Sequence, residues 1–329
     1  MTKTVGIYDK ALEALRPRLD ALGLDIELVP FDRDGRYQWR GQSCPPEEVS
    51  LDYLWFSPMI SAEKFVPQAF EMALRTKSVG VLQTFNAGLD APFYAQIAAT
   101  GTQICNSSAQ SVAIAEYVLA HVLSLVHPIA QQAEQQQRRH WQITPFQEVS
   151  QTCWLILGFG PIGQQIAQRV KAFDARTVVV RRRSQPAEHV DECGTVDDLP
   201  RLLPQADVIV VACALNEQTR GLADAGFFAA AKPGAVLVNI ARGPIIEDAA
   251  LIDSLDAGRL AHAVLDVFHT EPLPADSPLW SHPKVRVTAH TSFAGSGTRA
   301  RWDQLFLDNV ARFVRGEALN NLVDPAGLT

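Results

Sequence analysis

The sequence predicts an α/β protein built around two doubly wound parallel sheets. Three observations predict this class. Short apolar runs alternate with amphipathic helical stretches along nearly the whole chain, which is the rhythm of β-α-β units. One apolar run, Trp154 to Leu157, leads straight into Gly158-Phe159-Gly160-Pro161-Ile162-Gly163, and Ile162, Ile166, Val170 and Phe173 then recur at helical spacing. A separate β-α-β series occupies residues 1–100.

In that first series Val5 to Tyr8 is a strand, and the helix after it carries Leu12, Leu15, Leu19 and Leu22 on one side. Ile26 to Val29 is the next strand, followed by a polar loop that runs through Pro45-Pro46. Tyr53 to Phe56 and Val79 to Leu82 are further strands, with a helix expected between them from Ala62 to Leu74. Pro67 sits awkwardly in its first turns. A long helix begins near Ser111 with the apolar stripe Val112, Ala115, Val118, Leu119, Val122, Leu123 and Val126, and Pro128 kinks or ends it. Gln131 to Arg139 reads as a solvated helix or connector.

The second series places strands at Trp154–Leu157, Thr177–Val180, Val208–Ala212, Val236–Ile240, Ala263–Val267 and Val285–Thr288. A helix from Glu247 to Ala257 has acids in its first turn and Gly258 just past its end, both stop-and-start signals. The last helix carries Trp302, Leu305, Phe306, Val310 and Phe313 on one face and stops at Gly316.

At 329 residues the chain can build one large domain or two ordinary ones. A net charge of −7 argues against a general nucleic-acid or anionic-membrane surface. Cys44, Cys105, Cys153, Cys193 and Cys213 never fall at C-x-x-C spacing. That favours free thiols in a reducing compartment over a disulfide framework or a zinc site, and no metal is expected. The first ten residues hold no apolar signal core, and no run of 18 apolar residues occurs. A cytoplasmic protein without nucleic-acid or membrane partners is therefore expected.

The glycine turn has a physical reading. Its first glycine permits the tight turn, the second lets backbone approach a pyrophosphate, and the third allows close helix–strand packing. The helix N-terminus then faces the anion. In an open parallel sheet, ligands bind beyond the carboxyl ends of the strands, so the residues there are the candidates. The second strand ends at Arg181-Arg182-Arg183, and the third runs out into Cys213-Ala214-Leu215, which offers backbone and apolar contact. The next ends carry Ile240 with Ala241-Arg242-Gly243, then Asp266 with Glu271, and finally His290.

A cation, a carboxylate and an imidazole thus converge on the edge where a dinucleotide would lie. They suit hydride transfer to a 2-keto acid. The reduced oxygen needs a proton, which imidazole can supply at neutral pH. Glu271 beside His290 would favour the charged ring and fix its tautomer. Arg242 can hold a carboxylate while polarising the neighbouring carbonyl.

With these four motifs in order, Gly158 to Gly163, Val238 to Gly243, Asp266 to Leu273 and Thr288-Ala-His290, the chain resembles the D-2-hydroxyacid dehydrogenase family over nearly its whole length. The resemblance implies Arg242, Glu271 and His290 as the catalytic set, with Asp266 near the nicotinamide carboxamide. It implies that the backbone N–H groups of Asn86-Ala87-Gly88 receive the substrate carboxylate. Ala115-Glu116 fits the family pattern in a structural capacity, whereas Ala289 stands where the family often has proline. The family architecture implies a Rossmann-type cofactor domain, residues 99–290, inserted into a smaller flavodoxin-like substrate domain of residues 1–98 and 291–329. Family members commonly form homodimers, and the stretch Gln131 to Trp141 is the expected contact.

An NAD-type site places an acid about 20 residues past the glycines to bind the ribose 2′-hydroxyl. Here Arg181 stands 18 residues past Gly163, followed by Arg182. Arginine can pair with a 2′-phosphate, so NADP is expected ahead of NAD. Trp55, in Trp55-Phe56-Ser57-Pro58, either overhangs the substrate or is a core aromatic before a turn. A similar tryptophan-containing loop occurs in the family's glyoxylate/hydroxypyruvate reductases, and glyoxylate or hydroxypyruvate is the expected substrate class. The alternatives are an NAD-dependent dehydrogenase of another 2-hydroxy acid, and a dinucleotide-sensing, co-repressor-like binding protein on the same fold.

Overall fold

The computed structural model describes residues 2–324. Two compact units make up the chain, Met1–Gln110 with Ser296–Thr329, and Ser111–Gly295. The first unit opens with β1 (Lys3–Tyr8), α1 (Asp9–Asp20), β2 (Ile26–Phe31), β3 (Tyr37–Trp39), β4 (Gln42–Cys44) and β5 (Ser50–Trp55). It continues with α2 (Met59–Ala62), α3 (Val66–Arg75), β6 (Ser78–Gln83), α4 (Pro92–Ala99) and β7 (Gln103–Cys105). Its sheet runs β4-β3-β2-β1-β5-β6-β7, parallel throughout except at β3 and β4.

Two expectations change here. The polar loop after β2 contains a hairpin: Tyr37 pairs with Cys44 and Trp39 with Gln42. Its turn, Arg40-Gly41, has φ of 52° and 77°, the paired positive angles that match strand twist in a two-residue loop. Tyr37 is fully buried and anchors the hairpin to the core. The single helix expected from Ala62 to Leu74 is instead α2 and α3, because Pro67 takes the first turn of α3. At that position its missing N–H leaves no bond unmade.

The second unit begins with α5 (Ser111–Val126) and α6 (Ile129–Gln137), bent apart by 55° at the break that contains Pro128. It then alternates β8 (Cys153–Leu157), α7 (Pro161–Lys171), β9 (Arg176–Val180), β10 (Glu192–Gly194), α8 (Leu199–Leu202) and β11 (Val208–Val211). After these come α9 (Ala225–Ala230), β12 (Ala235–Asn239), α10 (Asp248–Asp256), β13 (Leu260–Leu265) and β14 (Val285–Val287). The sheet order is β10-β9-β8-β11-β12-β13-β14, all parallel. Among the described residues no single helix is long and apolar enough to cross a membrane.

Why β8 and β11 are apolar at every position is now plain. Leu155, Leu157, Ile209 and Val211 feed one core, while Trp154, Ile156, Val208 and Val210 feed another on the opposite face. Successive strand side chains point to opposite faces, so a sheet covered on both sides needs hydrophobic residues throughout. The second core receives Ile114, Ala115, Val118 and Val122 of α5 together with Ile166, Ala167 and Val170 of α7. Phe173, grouped with that face by spacing, lies beyond the end of α7 and is exposed.

The chain returns to the first unit through α11 (Thr298–Arg315), which ends at Gly316 with φ 69°. Phe306, Leu307 and Val310 of α11 join the core built by β1, β5 and β6. Trp55 belongs to this core and not to a substrate overhang: it is 1% exposed, and its ring stacks on Phe306 at 4.1 Å and 4°. Trp55→Ala should therefore lower the stability of this unit by about 3–5 kcal/mol in urea unfolding. A loss below about 1 kcal/mol, the range of surface substitutions, would remove Trp55 from the core.

Candidate active site

The glycine turn between β8 and α7 has a separate steric reason for each glycine. Gly158 has φ 105°, and a Cβ there would stand 2.7 Å from the backbone of Ala212 and Cys213. A Cβ on Gly163 would lie 2.2 Å from the carbonyl oxygen of Gly158, so helix and strand touch only because the side chain is absent. A Cβ on Gly160 would meet nothing within 4 Å, which leaves the backbone open to a ligand from outside. Pro161 opens α7, and no acid stands in its first turn to oppose an anion. These residues fit a dinucleotide pyrophosphate held at a helix N-terminus.

Neighbouring strand ends extend the same edge. The Arg181 guanidinium lies over the Phe159 ring, 5.6 Å from its centroid, and donates from Nε to the carbonyl of Arg183 at 3.0 Å. Arg182 is exposed beside it. Beyond β11, the Ala214 carbonyl accepts from Thr219 Oγ1 at 2.7 Å, and Leu215 is half-buried. Burial pushes the Cys213 thiol up to about 11, which leaves it a poor nucleophile. Ile240 is buried in the core.

His290 and Glu271 meet directly. His290 Nδ1 donates to Glu271 Oε2 at 2.7 Å, while Glu271 Oε1 accepts from the Phe268 N–H at 3.0 Å. With Nδ1–H committed to the carboxylate, Nε2 is the other ring nitrogen, capable of giving or taking a proton. His290 has φ 48°. That left-handed backbone costs a non-glycine residue about 1–3 kcal/mol and persists where the surroundings over-determine it.

The over-determination comes from Asp266. Its side chain, fully buried, accepts at Oδ1 from Thr288 Oγ1 (2.6 Å) and the Thr291 N–H (2.8 Å), and at Oδ2 from the Ser292 N–H (3.0 Å). Its backbone carbonyl accepts from the His290 N–H at 2.9 Å. Asp266 thus grips the loop on both sides of the imidazole, a task the sequence does not announce.

Arg242 sits on a turn shaped by Asn239, a residue to which the sequence reading gives no role of its own. Asn239 is buried at the end of β12; its Nδ2 donates to the Arg242 carbonyl and its Oδ1 accepts from the Ala241 N–H, both at 3.0 Å. The available signal was one amide closing a strand that is otherwise wholly apolar. The Arg242 Nη1 donates to the Ala241 carbonyl at 2.7 Å. Gly243 then packs so tightly that a Cβ would stand 2.0 Å from the carbonyl carbon of Phe268 and 2.3 Å from the His269 nitrogen. His269 Nε2, bonded to the Ile246 carbonyl at 2.8 Å, ties the same two segments. The Arg242 turn is thereby set against the segment whose Phe268 N–H holds Glu271.

In the first unit, the loop after β6 keeps its carbonyls occupied: Asn86 O accepts from the Ser107 N–H and Ala87 O from Asn106 Nδ2, both at 2.8 Å. The N–H groups of Ala87 and Gly88 donate no hydrogen bond among the described residues.

Gly243→Ala provides a direct check on the packing of the Arg242 turn. The added methyl must push it off Phe268, and displacement of about 1 Å can reduce turnover on the order of 100-fold. Turnover should fall at least about tenfold with dinucleotide affinity unchanged; wild-type turnover would contradict the assigned packing.

Comparisons with known proteins give the chain a family. Residues 119–292 match the family model described as D-isomer specific 2-hydroxyacid dehydrogenase, NAD binding domain. A hydroxypyruvate reductase of Blautia hydrogenotrophica is 28% identical over 311 residues, 92% of each chain. A glyoxylate/hydroxypyruvate reductase B of Citrobacter koseri is 34% identical over 218 residues, 64% of this chain and 67% of that one. Among solved structures, a D-isomer specific 2-hydroxyacid dehydrogenase family protein of Aeromonas salmonicida superposes with a TM-score of 0.76 at 30% identity, covering 99% of this chain and 100% of that one. A D-isomer specific 2-hydroxyacid dehydrogenase of Xanthobacter autotrophicus, solved with NADPH and MES, gives 0.75 at 25% identity and 99% coverage of both chains. Fold, glycine turn and family match together identify the chain as a nicotinamide-dinucleotide-dependent enzyme belonging to the D-isomer specific 2-hydroxyacid dehydrogenase family.

Proposed function

We propose that the protein is an NADPH-dependent reductase of a small 2-keto acid of the glyoxylate or hydroxypyruvate class. The observation that carries this reading is the His290–Glu271 pair at 2.7 Å, on the same sheet edge as the glycine turn. The bound nicotinamide supplies the hydride to the keto carbon. His290 delivers a proton from Nε2 to the ketone oxygen, so that the product is the neutral 2-hydroxyl. Glu271 holds Nδ1–H and so fixes the ring orientation that presents Nε2. Arg242 holds the substrate carboxylate and polarises the neighbouring carbonyl.

The preference for NADPH is assigned to Arg181 with Arg182. Arg181 already lies over Phe159 of the glycine turn, where it can meet a 2′-phosphate with a charge-assisted bond. The NADPH bound by the Xanthobacter relative, and the reductase names of the Blautia and Citrobacter relatives, support the reading.

One assay tests both assignments. Wild type is mixed with glyoxylate or hydroxypyruvate, and NADPH and NADH oxidation are followed in parallel. NADPH should be the faster cofactor, His290→Gln should lower turnover about 100- to 10,000-fold, and Arg181→Ala should raise KM for NADPH about tenfold or more while sparing NADH. Preference for NADH would sink the Arg181 assignment, and an active His290→Gln variant would sink the proton donor.

We further assign a homodimer contact to the region around Gln131 to Trp141. No side chain of α6 is buried, and Ile129, Trp141, Ile143 and Phe146 are large apolar side chains left exposed within one short stretch. Apolar surface concentrated in this way marks an interface. Wild type should elute as a dimer, with Trp141→Ser combined with Ile143→Ser shifting it toward monomer by light scattering; a monomeric wild type would end this assignment.

A further inference from the structure

We propose that Tyr117, on α5, is a positioning residue for His290 that acts through Thr288 and Asp266. The inference rests on the reading of His290 as proton donor. Tyr117 Oη lies 2.6 Å from Thr288 Oγ1, and Thr288 Oγ1 gives its single proton to Asp266 Oδ1 at 2.6 Å. A hydroxyl has one proton to give, so Tyr117 is the donor in the first of these bonds. Burial pushes the Tyr117 phenol up to about 12, which keeps that proton in place. The hydroxyl relay therefore runs in one direction, from helix to carboxylate.

Its target is the group that holds the catalytic loop. Asp266 fastens residues 288, 290, 291 and 292, and among the described residues the bond from Tyr117 is what ties that grip to a helix. One turn further along α5, the His121 carbonyl and Ser124 Oγ accept from Arg286 Nη1 at 3.3 Å and 2.5 Å. The strand β14, which carries Arg286, and the loop that follows it are both tied to the same helix face. The charged or titratable groups about the Tyr117 phenol are Asp266, Arg286 and His121, whose ring lies 4.3 Å from it. Only Thr288 receives its proton. With His290 held in a left-handed backbone conformation, the loop needs every fixed point, because a relaxed φ would swing Nε2 off the line of proton transfer.

The test uses the full chain with NADPH and glyoxylate or hydroxypyruvate. Tyr117→Phe, Thr288→Val, Thr288→Ser and the Phe/Val double variant are compared with wild type and with His290→Gln. Tyr117→Phe should lower kcat about 5- to 10-fold, the size of one lost hydrogen bond, with KM for NADPH and the thermal midpoint little changed. Thr288→Ser keeps the relay and should retain kcat within about twofold, whereas Thr288→Val should not. In the Thr288→Val background, Tyr117→Phe should have no further effect, since residues acting through one another are not additive. Wild-type kcat in Tyr117→Phe, or independent losses that multiply in the double variant, would overturn the inference while leaving His290 untouched. Absence of wild-type turnover, or full turnover by His290→Gln, ends the reading of His290 and this inference with it.

Discussion

A carboxyl group as fully buried as that of Asp266 is costly unless its oxygens are hydrogen-bonded, and the loop carrying His290 supplies the donors. Thr288, Thr291 and Ser292 satisfy the side chain, and His290 satisfies the backbone carbonyl. The dependence runs both ways. The loop holds an otherwise unfavourable backbone angle because Asp266 grips it, and Asp266 is tolerated in the interior because the loop is there. The imidazole is aimed by this exchange, and Glu271 can meet Nδ1 only once it has been aimed.

The sheet explains why such groups collect on one edge. Parallel strands covered on both faces leave no room for polar side chains along their length, and β8 and β11 show none. On the central strands the polar residues come at or just past the carboxyl ends, where Asn239 closes β12 and Asp266 follows β13. Close approach then does the rest. Gly158 brings the glycine turn against Ala212 and Cys213, Gly163 brings the helix onto the carbonyl of Gly158, and Gly243 presses the Arg242 turn onto Phe268 and His269. In each case the missing side chain is what lets two backbones touch.

Charge is distributed with the same economy of place. The chain carries a net charge of −7, yet three consecutive arginines follow β9, and the helix beside them opens without an acid. A local cation in an acidic protein focuses anionic ligands on one spot without making the whole surface sticky for polyanions.

Much of this was legible in the residues themselves. The apolar runs, the glycine turn and the polar strand ends are local signals, and they placed both sheets, the strand–turn–helix unit and the His290–Glu271 pairing. Local rules also explain where reading failed. The hairpin of β3 and β4 has strands of three residues each, too short for periodicity to register, and Pro67 allowed two positions for a helix start. The rest depended on contacts between residues far apart in the chain. Whether Trp55 faced a ligand or a core was decided by Phe306, more than two hundred residues away, and no pattern around position 55 could report that. Tyr117 likewise reads as one more residue on an amphipathic helix until the fold brings it to Thr288. The sequence by itself determined which chemistry the chain carries, because side-chain identity and strand-end position are local properties. Only the tertiary structure decided which residues hold that chemistry in place, because a hydrogen bond is settled by distance and direction in space.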